Sequence, residues 1–273
     1  MVRTVVALNA HPDDEALLTG GSLARAAAAG HRVLLVTATD GDAGLADARF
    51  AADGGLGARR LAELEASAAA IGAADVIHLG YSDSGIGPQI APAPPGRRRL
   101  ATVDTEEVAS ALAEILRRER ADLLLGYDAA GGYGHRDHVT VHHVARRAAA
   151  LAGTPRLLEA TAPREQVLRV LRLISRVHSF PDDFRPDHWA QAFTPTDRIT
   201  HRIEVGPFVA AKRAAMAAHV SQTSGAGDGA GRNLAAVLRL PGPVFRRVFG
   251  REFFVDPAVP AGTLRTALFE DLE

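Results

Sequence analysis

Four times before residue 153 the chain sets a short, continuous apolar run ahead of a stretch with helical spacing. The runs are Val2 to Leu8, Arg32 to Ala38, Asp75 to Leu79 and Asp122 to Leu125. The helical stretches are Glu15 to Ala29, Ala58 to Ile71, Asp104 to Glu119 and Asp137 to Leu151. A strand covered on both faces reads as unbroken apolar sequence, whereas a half-exposed one alternates. Strict alternation of strand and helix is the pattern of βαβ units. The expected fold class is therefore α/β: a Rossmann-like, open, mostly parallel sheet flanked by helices. Gly30 and Gly72 stop two of the helices. Gly20-Gly21, inside the first, would let that helix sit close to a sheet.

After Gly153 the pattern changes. Gln166 to Val177 suits a strand or a helix, and Pro181 to Pro195 reads as loop. Arg198 to Val205 alternates like an edge strand, and Pro207 to Val220 reads as a helix. Ser224 to Gly231 is a Gly-rich loop, and Pro243 to Val255 carries four phenylalanines that should pack onto the first part. The expectation is a single domain, 1–273, with a Rossmann-like part over 1–153. The smaller part, 154–273, closes over the site.

Chemistry concentrates where strands become helices, which in an open parallel sheet is the binding crevice. The first strand runs into Asn9-Ala10-His11-Pro12-Asp13-Asp14-Glu15. His11 and Asp14 are N and O ligands of the kind zinc accepts. Asp13, between them, could act as a base without being a ligand, and Pro12 stiffens the turn. The plainer reading is that Asp13 and Asp14 cap the next helix. The fourth strand runs into Asp128-Ala129-Ala130-Gly131-Gly132-Tyr133-Gly134-His135-Arg136-Asp137-His138. One histidine from this loop would complete a three-ligand site with an open position, the plan of catalytic zinc. His135, His138 and His142 all compete for that place, since spacings of three and four share a helix face. Asp137 is either an N-cap or the carboxylate that orients a neighbouring His. His143 reads as a surface residue, and His31, His78, His178, His188 and His201 as structural ones.

The chain has 273 residues and no cysteine, so thiolate metal sites, disulfides and a cysteine nucleophile are excluded. Any metal must be held by His, Asp or Glu. A net charge of -1 gives no global field for nucleic acid. The short runs Arg97-Arg98-Arg99 and Arg246-Arg247 read as solvated loop or helix ends. Met1-Val2-Arg3 leads straight into a strand-like run without a signal-peptide pattern, and no apolar run is long enough to cross a bilayer. A cytoplasmic protein acting on a small molecule, with no nucleic-acid or membrane partner, is the expectation; a homo-oligomer stays open.

Ala10-His11-Pro12-Asp13-Asp14-Glu15, followed much later by Gly131-Gly132-Tyr133-Gly134-His135-Arg136-Asp137-His138, resembles the LmbE-like, or PIG-L, family of zinc-dependent N-deacetylases. The likeness extends to Arg60-Leu61-Ala62-Glu63-Leu64, to Leu79-Gly80 with Asp83-Ser84-Gly85, and late to Lys212 and His219-Val220-Ser221-Gln222. The resemblance implies His11, Asp14 and His138 as metal ligands and Zn2+ as the ion, with Fe2+ the alternative. It implies Asp13 as general base and His135 as the imidazolium facing the oxyanion. Tyr133 would approach the same carbonyl oxygen, and Arg60 and Asp83 would touch sugar hydroxyls. Arg136, where many members have proline, and Asp42, where relatives often carry Glu, depart from the pattern. The loops 87–99 and 225–231 map onto no family feature.

The function so implied is removal of an N-acetyl or other N-acyl group from an N-acetylglucosamine-type glycoside. The alternatives are an amidase of a thiol-sugar conjugate and a non-catalytic sugar- or nucleotide-binding Rossmann module. Against the nucleotide module, no Gly-x-Gly-x-x-Gly follows the first strand.

Overall fold

The computed structural model describes residues 1–46, 50, 55–175, 189–223 and 234–272. The Gly-rich stretch 225–231 and the histidines His178 and His188 lie outside the described residues. The four apolar runs form β1 (Thr4–Asn9), β2 (Arg32–Thr39), β3 (Asp75–Tyr81) and β4 (Leu123–Tyr127). The helical stretches form α1 (Gly20–Ala28), α2 (Gly55–Ile71) and α3 (Thr105–Arg118). A single turn, α4 (Gly131–Gly134), then leads into α5 (Arg136–Ala152). Asp104 caps α3, its side chain accepting the Glu106 N–H.

These strands and three more make one seven-stranded sheet in the order β3-β2-β1-β4-β5-β7-β6. β5 (Arg156–Thr161) continues the parallel run beside β4, and β7 (Arg251–Val255) and β6 (His201–Glu204) extend it antiparallel. The sheet therefore runs on past residue 153. The alternating edge strand expected over 198–205 is β6, at the sheet's end. The ambiguous segment after Gly153 resolves as helix α6 (Arg164–Ile174).

β5 is a strand that the apolar pattern misses. Its Arg156 and Glu159 are buried, and each is paired: Arg156 with Asp256 at 3.3 Å, Glu159 with Arg146 at 2.6 Å. Buried charges are tolerated when paired, so this strand does not look apolar.

Apolar side chains fill both faces. Val5 and Ala7 of β1 join a core with Leu23, Leu64, Met216 and Phe254. Val6 and Leu8 point the other way, to Leu112 of α3 and Val144 of α5. Period-two alternation into two apolar layers is why β1 reads as continuous. Gly21 is needed where α1 meets the chain after β6. A Cβ there would stand 2.7 Å from Val205 Cβ and 3.0 Å from Glu252 Oε1. Glu252 accepts the Gly21 and Ser22 N–H groups at 2.8 and 2.7 Å, and Lys212 donates to it at 2.5 Å.

The central fact for function is the neighbour relation of β1. It pairs in parallel with β2 on one side and β4 on the other. Strand order reverses between β1 and β4, and such a switch point opens a crevice at the carboxyl ends of the two strands. The loops after those two strands carry the two sequence clusters.

Candidate metal centre

His11 and Asp14 stand on the turn between β1 and a single π-turn, Glu15–Thr19; such turns recur at functional sites. The turn is tied down locally: the His11 N–H donates to Asp14 Oδ2 at 3.0 Å, and the Ala10 N–H donates to the Tyr127 hydroxyl at 3.0 Å. From the other loop, His138 lies in the first turn of α5, stacked on Tyr127 with ring centroids 4.3 Å apart. Gly131, at φ 60°, makes that approach possible. A Cβ there would lie 2.8 Å from Val139 N and 3.0 Å from His138 Cβ.

The three donor atoms form a triangle. His11 Nδ1, His138 Nε2 and Asp14 Oδ2 are separated by 3.3 Å along each edge. A tetrahedral ion with bonds of about 2.0–2.1 Å needs ligand atoms about 3.3–3.4 Å apart. The donors therefore fit a divalent cation in chemistry and in spacing. Two further groupings overlap this one: His11, His135 and His138, and His11, Asp83 and Asp137, each within 4.8 Å. The second grouping sits on the far side of His11, where its carboxylates face the other ring nitrogen. His11 Nε2 lies 3.3 Å from Asp137 Oδ2 and 3.3 Å from Asp83 Oδ1. Carboxylates behind a ligating imidazole fix its tautomer and its aim. Asp137 is held in turn by the Ser84 N–H at 2.8 Å.

Charge is crowded here. Burial alone would lower the His11 pKa, but Asp83, Asp137 and Asp14 hold it well above its ordinary value. Burial would raise the Asp14 carboxyl, but His138 and His11 hold it well below the carboxylate range. Asp83 is held low as well: burial opposes it, and the charge of His11 prevails.

His135 differs from the sequence expectation of an imidazolium. It caps α5, its Nδ1 accepting the Asp137 N–H at 3.2 Å, which leaves its proton on Nε2. Burial, with His11 and His138 nearby, pushes its pKa down to about 4. The group is a neutral N–H donor. Tyr133 packs beside both histidines, its ring 6.3 Å from His135 and 5.1 Å from His138.

Asp13 is 5% exposed and holds φ 119°, a conformation L residues rarely adopt. Its Oδ1 lies 3.2 Å from Arg60 Nη2. Arg60 and Asp83, expected at sugar hydroxyls, are nearly sealed, at 1% and 3% exposure. Arg60 donates to Pro12 O at 2.5 Å and Gly41 O at 2.9 Å. The structure thus brings Arg60 to Asp13, and Asp83 to His11.

His142 and His143 stay out of the cluster. His142 is bound to Tyr127 O at 3.0 Å, and His143 is exposed. The arginine run is spent internally: Arg97 on Asp40, Arg98 on Glu107 and Arg99 on Asp42. Arg99 and Asp42 fasten the loop after β3 to the loop after β2, and Arg136 reaches Gly87 O on the same loop. Asp128 has a part that its place in the motif does not reveal. Its carboxylate accepts the Gly132 N–H at 2.9 Å and the hydroxyls of Thr161 and Thr194 at 2.5 and 2.9 Å, so it anchors the glycine turn.

Known proteins resemble the chain closely. The family profile for GlcNAc-PI de-N-acetylase (PIG-L) matches residues 6–149. A 1D-myo-inositol 2-acetamido-2-deoxy-α-D-glucopyranoside deacetylase of Nocardiopsis dassonvillei is 36% identical over 241 residues, covering 81% of this chain and 85% of that one. A protein of the same description from Thermobifida fusca is 37% identical over 247 residues, covering 82% and 85%. Among solved structures, the zinc-inhibited form of teicoplanin deacetylase Orf2 superposes with a TM-score of 0.60 at 20% identity, over 94% of this chain and 100% of that one. That likeness is one of fold.

Proposed function

The chain belongs to the PIG-L, or GlcNAc-PI de-N-acetylase, family, and on that premise we propose that it is a zinc-dependent hydrolase that removes the N-acetyl group of an N-acetylglucosaminyl glycoside, with inositol as the aglycone. The observation that carries this reading is the 3.3 Å triangle of His11 Nδ1, Asp14 Oδ2 and His138 Nε2, with the Asp13 carboxylate on the same turn. These three residues would hold the ion, which when bound supplies Lewis acidity toward water and the amide carbonyl.

The residues divide the remaining work. Asp13 takes the proton of the attacking water and later gives it to the departing amine, so no net proton is consumed. His135 presents Nε2–H to the carbonyl oxygen as it gains negative charge. One such donor is typically worth about 3 kcal/mol of barrier. Tyr133, beside His135, approaches the same oxygen. Arg60 and Asp83 contribute by steadying Asp13 and His11. Asp137 fixes the His11 ring. We read the whole chain as one catalytic unit acting in the cytoplasm; no helix among the described residues is long and apolar enough to cross a membrane.

The test is acetate release from 1D-myo-inositol 2-acetamido-2-deoxy-α-D-glucopyranoside by the zinc-loaded protein. Release should stop when a chelator strips the metal and resume on adding Zn2+. Turnover that ignores the chelator, or no acetate from this or any other N-acetylglucosaminyl glycoside, would end the proposal.

The His11 shift makes a separate prediction. Its pKa is held well above the ordinary value, so without an ion the ring keeps its proton to higher pH than a free imidazole does. Ion binding at Nδ1 must displace that proton. Apparent zinc affinity should therefore keep climbing with pH above about 6.5, the ordinary imidazole value, instead of levelling off there. Calorimetry in buffers of different ionisation enthalpy should register about one proton released per ion. An affinity already level above about pH 6.5 would contradict the charge arrangement.

A further inference from the structure

Glu15 has no part in the reaction as derived, yet it is fully buried directly beneath Asp13. Its carboxylate gathers three hydrogen bonds. The Asp13 N–H donates to Oε2 at 3.0 Å; the Ser67 hydroxyl and His219 Nε2 reach Oε1 at 2.5 and 2.7 Å. His219 is also fully buried and comes from far along the chain, just after helix Val209–Ala218. Burial alone would lower its pKa, but the Glu15 charge raises it, so the contact is charge-assisted.

A residue at φ 119° persists only when its surroundings over-determine it. Two clamps act on Asp13. Arg60 holds the Pro12 carbonyl and the Asp13 carboxylate, and Glu15 holds the Asp13 N–H. His219 is not needed merely to dock its segment, which has anchors of its own. Glu63 accepts the Ser221 N–H and hydroxyl at 2.9 and 2.6 Å, and Lys212 pairs with Glu252.

We propose that Glu15 and His219 are positioning residues: the pair, steadied by Ser67, holds the Asp13 backbone at its positive φ and so sets where the Asp13 carboxylate stands beside the metal triangle. The inference rests on the reading of Asp13 as the base.

Glu15→Gln tests it. Glutamine has one acceptor oxygen, so either the Asp13 N–H loses its partner or the oxygen keeps that bond and the Ser67–His219 side loses its charged acceptor; the clamp loosens either way. In the zinc-loaded protein, kcat for acetate release should fall about 30-fold. KM should stay within about twofold and the metal should remain bound. In a crystal structure of the variant, Asp13 should leave its positive φ. Glu63→Gln loosens the same C-terminal segment without touching Asp13, and should keep kcat within about twofold of wild type. Equal kcat in the two variants overturns the proposal, whether both are normal or both are impaired. So does an unmoved Asp13. Asp13→Asn run alongside separates the two readings. If that variant stays active, the base assignment falls and the positioning role falls with it. If it is dead while Glu15→Gln is normal, only the positioning role falls. Should Glu15→Gln not fold, His219→Ala decides: about fivefold lower kcat at unchanged KM and metal content supports the pair, and wild-type kcat refutes it.

Discussion

Replacing Asp13 by Asn is expected to lower kcat by about 10³-fold while the fold and the bound metal remain. Asparagine is isosteric and is one of the few side chains that tolerate positive φ, so the strained turn at φ 119° survives. The Asp13 N–H keeps its bond to Glu15, and Arg60 keeps its bond to Pro12 O. His11, Asp14 and His138 are untouched, so metal content should equal that of wild type. What disappears is the carboxylate read as the base. A positioned base typically contributes about 10²–10⁴-fold, and here the same group also returns the proton to the amine. The loss should therefore sit in kcat, with KM little changed. Alanine is a poorer probe, because it cannot tolerate φ 119° and would mix backbone relaxation with lost chemistry. Metal analysis alongside steady-state acetate release reads both quantities. An Asn variant within tenfold of wild type would remove Asp13 from the mechanism.

How much of this was legible beforehand follows from the range of each interaction. β1 to β4 announce themselves because both faces of each strand meet apolar layers. β5 does not, because Arg156 and Glu159 are buried against partners that spacing cannot supply. His11 and Asp14, the first two proposed ligands, are three residues apart and visible as a unit. Spacing does not choose the proposed third ligand, since His135, His138 and His142 all lie on or near one helix. What decides it is where α5 begins. His135 serves as the N-cap and spends Nδ1 on a backbone N–H, His138 faces the crevice, and His142 turns back to the β4 backbone. The protonated form expected of His135 is disfavoured where its Nδ1 caps the helix in a buried site, an arrangement that favours the neutral ring. Arg60 and Asp83 are named by their motifs, but only the fold shows that they lean on Asp13 and His11. The Glu15–His219 contact joins residues 204 positions apart. The sequence hint was a third carboxylate directly after two with assigned work.

His11→Ala should be the most damaging single change at the site, in stability as well as in activity. It removes one corner of the triangle, so metal and turnover are lost together, and added zinc should restore neither at concentrations that saturate wild type. His138→Ala should match it in those respects. The two should part in stability. His138 offers its Nδ1 to the Gly131 carbonyl at 3.2 Å and stacks on Tyr127. Removing it leaves a cavity, at about 2–3 kcal/mol, and takes from Asp14 one of the two imidazoles beside it. His11 stands among Asp14, Asp83 and Asp137, each 3.3 Å from one of its ring nitrogens. Its loss leaves buried carboxylates without their nearest cation, and an uncompensated buried charge costs about 3–5 kcal/mol. The sign of the pH dependence separates the two causes. Asp83 and Asp14 are held below the ordinary carboxylate range chiefly by histidine charge, against the opposing effect of burial. A depressed carboxyl stabilises the fold above its unfolded pKa, and that stabilisation is lost as pH falls through the folded value. Without His11 the carboxyls should rise, so the variant should recover stability on mild acidification, as the orphaned groups take up protons. In His138→Ala the recovery should come from Asp14 alone, which His138 chiefly holds low, because His11 still faces Asp83 and Asp137; it should therefore be smaller. Urea unfolding of the metal-free proteins at about pH 7 and about pH 5 makes the comparison. Equal deficits for the two variants at both pH values would mean that His11 does not hold those carboxylates in their charged form.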